Sequence, residues 1–528
     1  AVPLCNKVSP EILVHYLNHS GARFLVTDAK GRDQVALVYK ELVDGGPSII
    51  LTEGEHDEAV PWQRLVDSAG TPPEVDIAAE DESKILYTSG SSGMPKGVIQ
   101  THENIVANVR EVWDVLSERD PFRFFKSAPD YHSMGILNIY YPLAKGWVLD
   151  LARSPDRVLA DIRHSEPEGF LTVPLVLDKV FGNVRKEIAA GGLKGWLVGR
   201  SVQAKRNLIT RKAGFADHLI HGVIGRKIID KIKDQLAKRV GANLEVLVVG
   251  SAKADPEALD FFHHVLDIKT YEGYGTTECA PLIAANHLEG RKVGTVGRPL
   301  IAVKIVGDDG AEIAFRDPTT GEQRGNLDVV GELWASGPNV MRGYLNDEAQ
   351  TAQALVTDGE QRWYKTGDLF TIDSEGFLTF RGRVGRQFKL ANGEFVNPEL
   401  LERVFARVAL VEHVLVTGRQ EWGQLLVIVT VDVEEATKQA DLSLDGMPED
   451  EIRAHPAVAA RARLWPAHAC GDGGGAGGEG VPDTRGAFSN TRGAFSNTCG
   501  AFPNTRGPFH NTRGSLPNTR GTFPNTRG

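Results

Sequence analysis

A loop rich in serine and glycine carries the strongest chemical signal in the sequence. Its motif, Thr-Ser-Gly-Ser-Ser-Gly-Met-Pro-Lys-Gly, occupies residues 88–97 and follows a predicted strand over 84–87. Small residues would let backbone N–H groups approach phosphate oxygens, and Lys96 would add a mobile positive charge. A kinase-type P-loop is excluded, because its lysine is followed by Ser or Thr, whereas Gly97 follows here. The motif predicts phosphate binding; a surface turn of the same composition is the alternative.

Four further motifs follow this loop in order along the chain. Each has an ordinary explanation by itself, since an aspartate after Thr-Gly, for example, is often a turn residue. They are Tyr-Glu-Gly-Tyr-Gly-Thr-Thr-Glu at 271–278, Gly-Glu-Leu at 331–333 continuing to Gly-Tyr at 343–344, Trp-Tyr-Lys-Thr-Gly-Asp at 363–368, and Gly-Arg at 382–383 followed by Lys389, Gly-Glu at 393–394 and Pro398-x-x-x-Glu402. Their order, more than any one of them, indicates a shared function.

The ordered set resembles the motifs of the adenylate-forming (AMP-binding) enzyme superfamily, which includes acyl-CoA synthetases, luciferases and peptide-synthetase adenylation domains. The resemblance covers residues 1 to about 435 and is strongest to long-chain fatty-acid–CoA ligases, truncated at both ends. It implies ATP-dependent activation of a fatty acid through acyl-AMP, followed by attack of the coenzyme A thiol. ATP, Mg²⁺ and coenzyme A are therefore the implied cofactors and co-substrates.

The resemblance also implies roles for individual residues. Lys96 would stabilise the pyrophosphate leaving group, and Thr88 and Glu278 would hold Mg²⁺. Asp368 and Arg383 would bind the ribose hydroxyls. The remaining implied nucleotide-binding residues contribute the loop backbone, an adenine pocket at 250–252 and an aromatic ring beside adenine: Ser89, Gly90, Ser91, Ser92, Gly93, Gly250, Ser251, Ala252, Gly273, Tyr274, Gly275, Thr276 and Thr277.

His132 is the implied catalytic residue on the acyl side. It falls where the family has an aromatic residue or a histidine beside the carboxylate pocket. A hydrogen-bonded structural histidine is an equally weighted alternative.

A basic segment at 194–239 favours a long-chain substrate within the family. It contains twelve Lys and Arg residues against three Asp and Glu residues, interleaved with apolar side chains. Long-chain synthetases resemble it in this respect, and such a surface would attract anionic lipid at ~1 kcal/mol per basic residue. The alternative is an ordinary solvated helix pair.

The elements that must position these residues follow an α/β rhythm. Short apolar runs alternate with helical patterns from Pro10 onward, and the runs at 24–27 and 48–51 predict buried strands. Thr101 is predicted to cap a helix that runs through Glu103 to Leu116, and strands follow one another over 303–334. We predict an α/β fold: a large N-terminal domain of doubly wound sheets with a β-rich subdomain (1–381), then an incomplete α+β C-terminal domain (382–466). The Gly-rich and seven-residue-repeat sequence at 467–528 predicts a disordered tail or translated tandem-repeat DNA.

The composition excludes several classes of protein. A formal net charge of -10 argues against nucleic-acid binding. Four cysteines without metal-ligand spacing argue against a disulfide framework and favour a reducing compartment. No apolar run approaches the ~18–20 residues of a membrane span. We expect a cytoplasmic location, with peripheral membrane contact through 194–239 at most.

The sequence departs from the family pattern in three respects. The family has many residues before the segment that begins here at Ala1, and its Arg-x-Lys-Asp hinge is replaced by Arg-Val-Gly-Arg at 383–386. Its C-terminal catalytic lysine has no counterpart after Val431. Because that lysine stabilises developing negative charge, we expect adenylation slowed by roughly 100-fold or more.

Three alternatives stay open at this level. An acyl-carrier-protein synthetase would differ only in the acceptor of the acyl group. A catalytically inactive nucleotide- or acyl-binding protein is favoured by the absent lysine and opposed by Thr88, Lys96, Glu278 and Asp368. A gene-model artefact would lack the few kcal/mol of net stability of a folded domain.

Overall fold

The computed structural model describes most of the chain up to Val431. The described residues are 1–68, 70, 71, 74–88, 94–113, 115, 122–154, 157–172, 177, 181, 182, 184–186, 188, 191–250, 254–287, 290–386, 388, 389, 395, 396, 398, 401, 402, 405, 411–418 and 425–431. The chain divides into two compact units, Ala1–Val384 and a second unit that begins at Gly385. The domain boundaries at 381 and 466 stay predictions, and the repeat tail lies outside the described residues.

Helices are distributed through the first unit. They are α1 (Pro10–Ser20), α2 (Ala29–Val38), α3 (Trp62–Asp67), α4 (His102–Glu111), α5 (Ser133–Ala144), α6 (Val158–Ser165), α7 (Gly192–Ile209), α8 (Phe215–Ile220), α9 (Arg226–Val240), α10 (Pro256–Asp260) and α11 (Glu348–Ala354). Short 3₁₀ segments lie at Tyr39–Glu41, Val43–Gly45 and Thr277–Cys279, and π-helical turns at His221–Gly225 and Phe261–Val265. No helix in the described part of the chain is both long and apolar enough to span a bilayer.

Local sequence explains where the site-bearing helices begin. In α4, Thr101 and Asn104 form a reciprocal capping box: the Asn104 N–H donates to Thr101 Oγ1 at 3.2 Å, and the Thr101 N–H donates to Asn104 Oδ1 at 2.9 Å. This confirms the predicted cap at Thr101. Helix α1 starts with Pro10 at its first position and ends at Gly21, whose positive φ of 58° suits glycine.

Strands form several sheets. In the first unit they are β1 (Phe24–Thr27), β2 (Ser48–Leu51), β3 (Ala59–Pro61), β4 (Glu82–Thr88), β5 (Lys96–Thr101), β6 (Arg123–Lys126), β7 (Val148–Leu151), β8 (Gly169–Thr172), β9 (Val246–Val249), β10 (Lys269–Gly275), β11 (Leu282–Ala285), β12 (Arg298–Pro299), β13 (Ala302–Val306), β14 (Glu312–Arg316), β15 (Gln323–Gly325), β16 (Gly331–Ser336), β17 (Gly343–Tyr344), β18 (Leu355–Asp358), β19 (Gln361–Ile372) and β20 (Leu378–Arg383). The second unit has the hairpins β21 (Phe388–Lys389) with β22 (Phe395–Val396), and β23 (Val411–Gly418) with β24 (Leu425–Val431).

The first unit combines parallel and antiparallel sheets. A seven-stranded sheet has the order β12-β11-β10-β9-β8-β6-β7. Its five strands β10, β9, β8, β6 and β7 pair in parallel. A second seven-stranded sheet, with the path β15-β14-β13-β16-β19-β18 and β20 beside β19, is antiparallel. A parallel sheet β1-β2-β3 and an antiparallel sheet β17-β5-β4 complete the unit. This architecture confirms the predicted α/β fold and the β-rich stretch at 303–334.

Two large apolar cores hold these sheets. One packs the parallel strands against helices and includes Phe125, Phe261 and Phe262, each at most 2% exposed. The other lies under the antiparallel sheet and includes Leu333 and Phe370, both 0% exposed. Burial of such side chains typically stabilises a fold by about 1.5–3 kcal/mol each. The cores therefore fix the sheet edges from which the candidate site residues project.

Candidate nucleotide-binding site

The Ser/Gly loop joins the two strands of a hairpin. Strands β4 and β5 pair antiparallel, with Thr88 directly opposite Lys96 at the loop end. The predicted residues Ser89, Gly90, Ser91, Ser92 and Gly93 lie outside the described residues. A Cβ at Gly97 would stand only 3.0 Å from Ile85 Cγ2 and 3.2 Å from Leu345 Cβ, so a larger residue there would make these side chains shift. The structure thus brings the two predicted polar groups, Thr88 and Lys96, together at the base of the loop.

Strand β17 adds an aromatic ring to this face. Tyr344 pairs with Val98, which places its side chain on the same side of the sheet as Lys96. The Lys96 Nζ lies 5.1 Å from the centroid of the Tyr344 ring. The Tyr344 hydroxyl donates to Glu278 Oε1 at 2.9 Å. Lys96, Glu278 and Tyr344, with Tyr364 beside them, are called the glutamate cluster below.

Tyr344 orients the Glu278 carboxylate, and Tyr364 lies beside this pair. Burial, and then the neighbouring Glu278 charge, raises the pKa of the Tyr344 phenol, so its hydroxyl stays a hydrogen-bond donor. Tyr364 is buried beside Tyr344 and Glu278, and burial, followed by the Glu278 charge, raises the pKa of its phenol. Neither tyrosine was assigned a role by the sequence, although the Gly-Tyr motif at 343–344 was the signal that pointed to one of them. The hydrogen bond from Tyr344 therefore holds Glu278 in one orientation.

The backbone around Glu278 is fixed from both sides. Glu278 belongs to the 3₁₀ segment Thr277–Cys279 directly after β10. The Gln100 side-chain amide donates to the Thr277 carbonyl at 2.7 Å, and the Met341 N–H donates to the Glu278 carbonyl at 2.7 Å. Because Gln100 and Met341 are buried, these bonds are shielded from water. The carboxylate therefore projects from a rigid support.

A second cluster forms around the predicted ribose-binding residues. Asp368 on β19 pairs directly with Arg383 on β20, and the Arg383 Nε lies 3.1 Å from Asp368 Oδ1 in an ion pair. The Tyr274 hydroxyl donates to Asp368 Oδ2 at 2.6 Å. Burial and then the Asp368 charge raise the pKa of the Tyr274 phenol. Tyr274, Asp368 and Arg383 are called the aspartate cluster below.

The Asp368 carboxylate of the aspartate cluster is buried. Asp368 is only 3% exposed; its Oδ2 accepts from the Tyr274 hydroxyl, and its Oδ1 is ion-paired with Arg383. A carboxylate only accepts hydrogen bonds, at about four lone-pair sites on its two oxygens. The Tyr274 ring, predicted to lie near adenine, stands edge-on to Phe370 with centroids 4.6 Å apart. That position puts the ring next to the predicted ribose-binding residues.

Close packing of two strands explains the glycines of the 271–278 motif. A Cβ at Gly275 would lie 1.9 Å from the Pro281 carbonyl oxygen, and one at Gly273 would lie 3.0 Å from Leu282 Cδ2. Both positions thus serve the close approach of β10 and β11. The Thr276 N–H donates to the same Pro281 carbonyl at 2.9 Å. Any contact of Gly273, Gly275, Thr276 or Thr277 with a nucleotide stays a prediction.

The carboxyl edge of the parallel sheet carries the remaining predicted residues. Gly250 follows β9, and a Cβ there would stand 3.9 Å from Met134 Cε at the start of α5. His132 is the residue that precedes α5, and burial lowers the pKa of its imidazole. Ser251 and Ala252 lie outside the described residues. The edge places His132 and Gly250 on neighbouring segments, where ligands of open α/β sheets usually bind.

His132 stands apart from both clusters. Its ring lies against Tyr131, with centroids 4.6 Å apart. Within the described part of the chain, no hydrogen bond joins its side chain to either cluster. The structural alternative for His132 therefore stays as open as the catalytic one.

The fold and these clusters define the class of protein. The profile of the AMP-binding enzyme family matches residues 1–345. This is more than half of the chain, and the chain belongs to that family.

Curated relatives of the chain are named as acyl-CoA synthetases and ligases. The chain is 26% identical to peroxisomal long chain acyl-CoA synthetase 6 of Arabidopsis thaliana, over 82% of this chain and 61% of that protein. It is 28% identical to long-chain-fatty-acid–CoA ligase 1 of Homo sapiens, over 82% of this chain and 62% of that protein. The chain thus spans about three fifths of the length of these relatives.

Solved structures share the fold. The anthranilate CoA ligase AuaEII in complex with anthranoyl-AMP has a TM-score of 0.61 at 17% identity, covering 88% of this chain and 83% of that one. The o-succinylbenzoate CoA synthetase MenE of Bacillus subtilis, in complex with OSB-AMP, has a TM-score of 0.57 at 21% identity, covering 85% and 78%. At such identities the likeness concerns the fold alone.

Proposed function

We propose that this chain activates a long-chain fatty acid by adenylation and transfers the acyl group to coenzyme A. Its family and its long-chain relatives support the chemistry. The observation that chiefly carries the proposal is the convergence of Lys96, Tyr344 and Glu278 beside the base of the Ser/Gly loop. A cation and an oriented carboxylate in this arrangement would suit a metal-bound polyphosphate.

The proposed reaction has two displacements. An oxygen of the fatty-acid carboxylate bonds to the α-phosphorus of ATP, and the bond from that phosphorus to the bridging oxygen breaks, releasing pyrophosphate. The sulfur of coenzyme A then bonds to the acyl carbon, the bond from that carbon to the AMP oxygen breaks, and the thiol proton is released. Both steps depend mainly on positioning and on charge stabilisation, and Lys96 would stabilise the departing pyrophosphate.

The residues present fit Mg²⁺ that arrives with ATP. This ion is usually bound by one or two carboxylates together with substrate phosphates and water. The Glu278 carboxylate and the Thr88 hydroxyl are oxygen donors of this kind. Among the described residues, no group of three or more His, Cys, Asp or Glu side chains forms an all-protein metal site. Bound Mg²⁺ would supply neutralising charge at the phosphates.

The aspartate cluster suits the nucleoside part of ATP. A carboxylate accepts hydrogen bonds at both of its oxygens, which suits the paired hydroxyls of a ribose. Arg383 and Tyr274 hold the carboxylate in place while it accepts them. The buried carboxylate would thus recognise the sugar without needing to reorient.

Acid-dependent exchange of labelled pyrophosphate into ATP tests the proposal, with acetate, octanoate and palmitate as substrates. We expect exchange with palmitate to exceed exchange with acetate. Exchange with acetate alone would contradict the long-chain assignment. Absence of exchange, in a protein that melts cooperatively and is stabilised by MgATP, would identify a nucleotide-binding protein without ligase activity.

We also propose that the 194–239 segment contacts anionic membrane surfaces. Its helices expose large apolar side chains beside basic ones, among them Trp196 at 58%, Phe215 at 85% and Val223 at 62% exposure. Co-sedimentation with phosphatidylserine vesicles, compared with phosphatidylcholine vesicles, tests this. We expect Phe215→Ser to reduce binding to the anionic vesicles, and equal binding of the variant and the wild type would contradict the proposal.

A further inference from the structure

Helix α1 presents two histidines to the hairpin that carries the Ser/Gly loop. His15 and His19 are one turn apart on one face of the helix, and their rings stack with centroids 4.9 Å apart at an interplanar angle of 20°. The Tyr16 ring lies beside them and packs on Tyr87, with centroids 4.4 Å apart. His15, Tyr16 and His19 are called the α1 histidine face. This face contacts the loop ends, whereas the glutamate cluster lies on the sheet itself.

The α1 histidine face contacts both ends of the loop. His15 Nε2 donates to the Pro95 carbonyl at 2.8 Å, directly before Lys96. Because a carbonyl oxygen only accepts, Nε2 carries a proton in either charge state of His15. His19 Nδ1 is 2.9 Å from the hydroxyl of Tyr87, directly before Thr88. One helix therefore holds the residues that precede Thr88 and Lys96.

His19 connects the same face to the strand that carries Tyr344. Burial, and then the His15 charge, lowers the pKa of His19, whereas burial raises the pKa of Tyr87. A protonated phenol thus donates to a neutral imidazole. The Asn346 side-chain amide donates to the His19 carbonyl at 3.3 Å, and the neighbouring Leu345 N–H donates to the Gly97 carbonyl at 2.7 Å. Loop ends and the strand after Tyr344 are therefore tied to one helix.

We propose that His15 is a positioning residue for ATP, which acts by fixing the Pro95 peptide that leads into Lys96. The proposal rests on the proposed nucleotide binding by the loop. When the peptide that leads into Lys96 is already held, Lys96 loses less conformational freedom on meeting phosphate, and preorganisation of this kind strengthens binding. Among the described residues, the hydrogen bond of the His15 ring goes to the Pro95 carbonyl, so the effect should fall on ATP rather than on the fatty acid.

Four variants separate this role from a general effect on stability. His15→Ala removes the ring and the donor, His15→Phe keeps a ring without a donor, and His15→Gln keeps a donor without a ring. Asn18→Ala is the matched control: on the same helix its amide donates to the Glu41 carbonyl at 3.0 Å and accepts from the Val43 N–H at 2.9 Å. The control removes comparable hydrogen bonds away from the loop.

The readouts are KM for ATP and KM for palmitate in the pyrophosphate exchange assay, with MgATP affinity from calorimetry. We expect His15→Ala and His15→Phe to weaken ATP about tenfold, the worth of one hydrogen bond of ~1.4 kcal/mol, with KM for palmitate nearly unchanged. His15→Gln should recover most of the affinity. Asn18→Ala should lower the melting temperature without changing KM for ATP.

Two outcomes would overturn the inference while the proposed function stands. One is wild-type affinity for ATP in His15→Phe; the other is an equal loss of affinity in Asn18→Ala. If His15→Ala does not fold, His15→Phe and His15→Gln decide, since both retain side-chain volume. A wild-type chain that neither binds MgATP nor exchanges pyrophosphate would instead contradict both the proposed function and this inference.

Discussion

The glutamate cluster and the aspartate cluster use the same two charges in different arrangements. In the aspartate cluster, Arg383 forms an ion pair with Asp368, which is 3% exposed. In the glutamate cluster, the Tyr344 ring separates Lys96 from Glu278: the ring faces the ammonium, and its hydroxyl binds the carboxylate. Lys96 makes no ion pair with any residue that the structure describes.

This difference suits two kinds of recognition. A cation paired with a carboxylate is a fixed support, and breaking such a pair leaves a buried charge without a partner. A cation over an aromatic ring is held by only about 0.5–1 kcal/mol when exposed, so it can move toward an incoming anion. We therefore expect the glutamate cluster to act on the reacting phosphates and the aspartate cluster to hold the nucleoside.

The largest effect should follow from Lys96→Ala. Loss of the mobile charge should reduce the rate of pyrophosphate exchange by about 100-fold or more, the usual consequence of removing one group that stabilises transition-state charge. Stability should hardly change, because the contact with Tyr344 is weak. Exchange kinetics and a thermal melt measure the two quantities.

Lys84→Ala supplies a matched control for this prediction. Lys84 lies on the same hairpin and likewise contacts a tyrosine ring. Its Nζ is 4.9 Å from the centroid of the Tyr140 ring and donates to the Tyr140 hydroxyl at 2.9 Å. It lies far along β4 from the loop end. If Lys84→Ala slows exchange as much as Lys96→Ala does, the special role of Lys96 is wrong.

Asp368→Asn should have the next largest effect. The amide would present an N–H group toward Tyr274 or Arg383, which are both donors. We expect ATP affinity about 30-fold lower and unfolding free energy lower by about 1–3 kcal/mol, the cost of an unsatisfied buried group. Isothermal calorimetry and denaturant titration measure both. Asp373→Asn, at the end of the same strand and paired with Lys292, should leave ATP affinity intact.

Tyr344→Phe should have a smaller effect, confined to the glutamate cluster. The ring under Lys96 remains, while the hydrogen bond to Glu278 is lost. We expect about a tenfold rise in the Mg²⁺ concentration that gives half-maximal exchange, as for one hydrogen bond to a charged group. A change in palmitate dependence with unchanged Mg²⁺ dependence would contradict the assigned role.

Glu111→Gln should change how the free energy of unfolding depends on pH and leave the rate of pyrophosphate exchange unchanged. Burial raises the pKa of Glu111 from its ordinary value near 4.5 to about 7, and the carboxyl accepts from Asn108 Nδ2 at 3.1 Å. At pH values between about 4.5 and 7, the folded chain binds more protons than the unfolded chain. The free energy of unfolding therefore falls as the pH rises through this range and levels off above about pH 7. The total loss is ~3 kcal/mol.

Denaturant titrations between pH 4.5 and 8 test this carboxyl. The wild type should lose stability over that range by more than Glu111→Gln, which carries no titratable group at the position. Parallel profiles for the two proteins would show that Glu111 is charged in the folded state.

Much of the candidate site could be predicted from the sequence because it depends on local chemistry. The strand predicted at 84–87 before the Ser/Gly motif is confirmed by β4, and the pairing of Thr88 with Lys96 was added by the structure. The helix cap at Thr101 and the strands at 24–27 and 48–51 were likewise predicted and confirmed. Turn residues, caps and apolar runs act over a few neighbouring positions, so the sequence alone specifies them.

Contacts between distant elements were beyond the sequence. Tyr344 meets Glu278 across 66 positions, Tyr274 meets Asp368 across 94, and His15 meets Pro95 across 80. The role of Tyr344 and the α1 histidine face were therefore missed, and the separation of the two clusters could not be foreseen.

What the sequence determined by itself is the order of the motifs, the family they resemble and the secondary structure that carries them. Only the tertiary structure showed that Asp368 is ion-paired with Arg383, whereas the Tyr344 ring lies between Glu278 and Lys96. The reason is that β17 joins the sheet beside β5, and β19 pairs with β20, so the neighbours of each charge are set by sheet order and register. Sheet order results from long-range packing of the cores, and no local pattern encodes it.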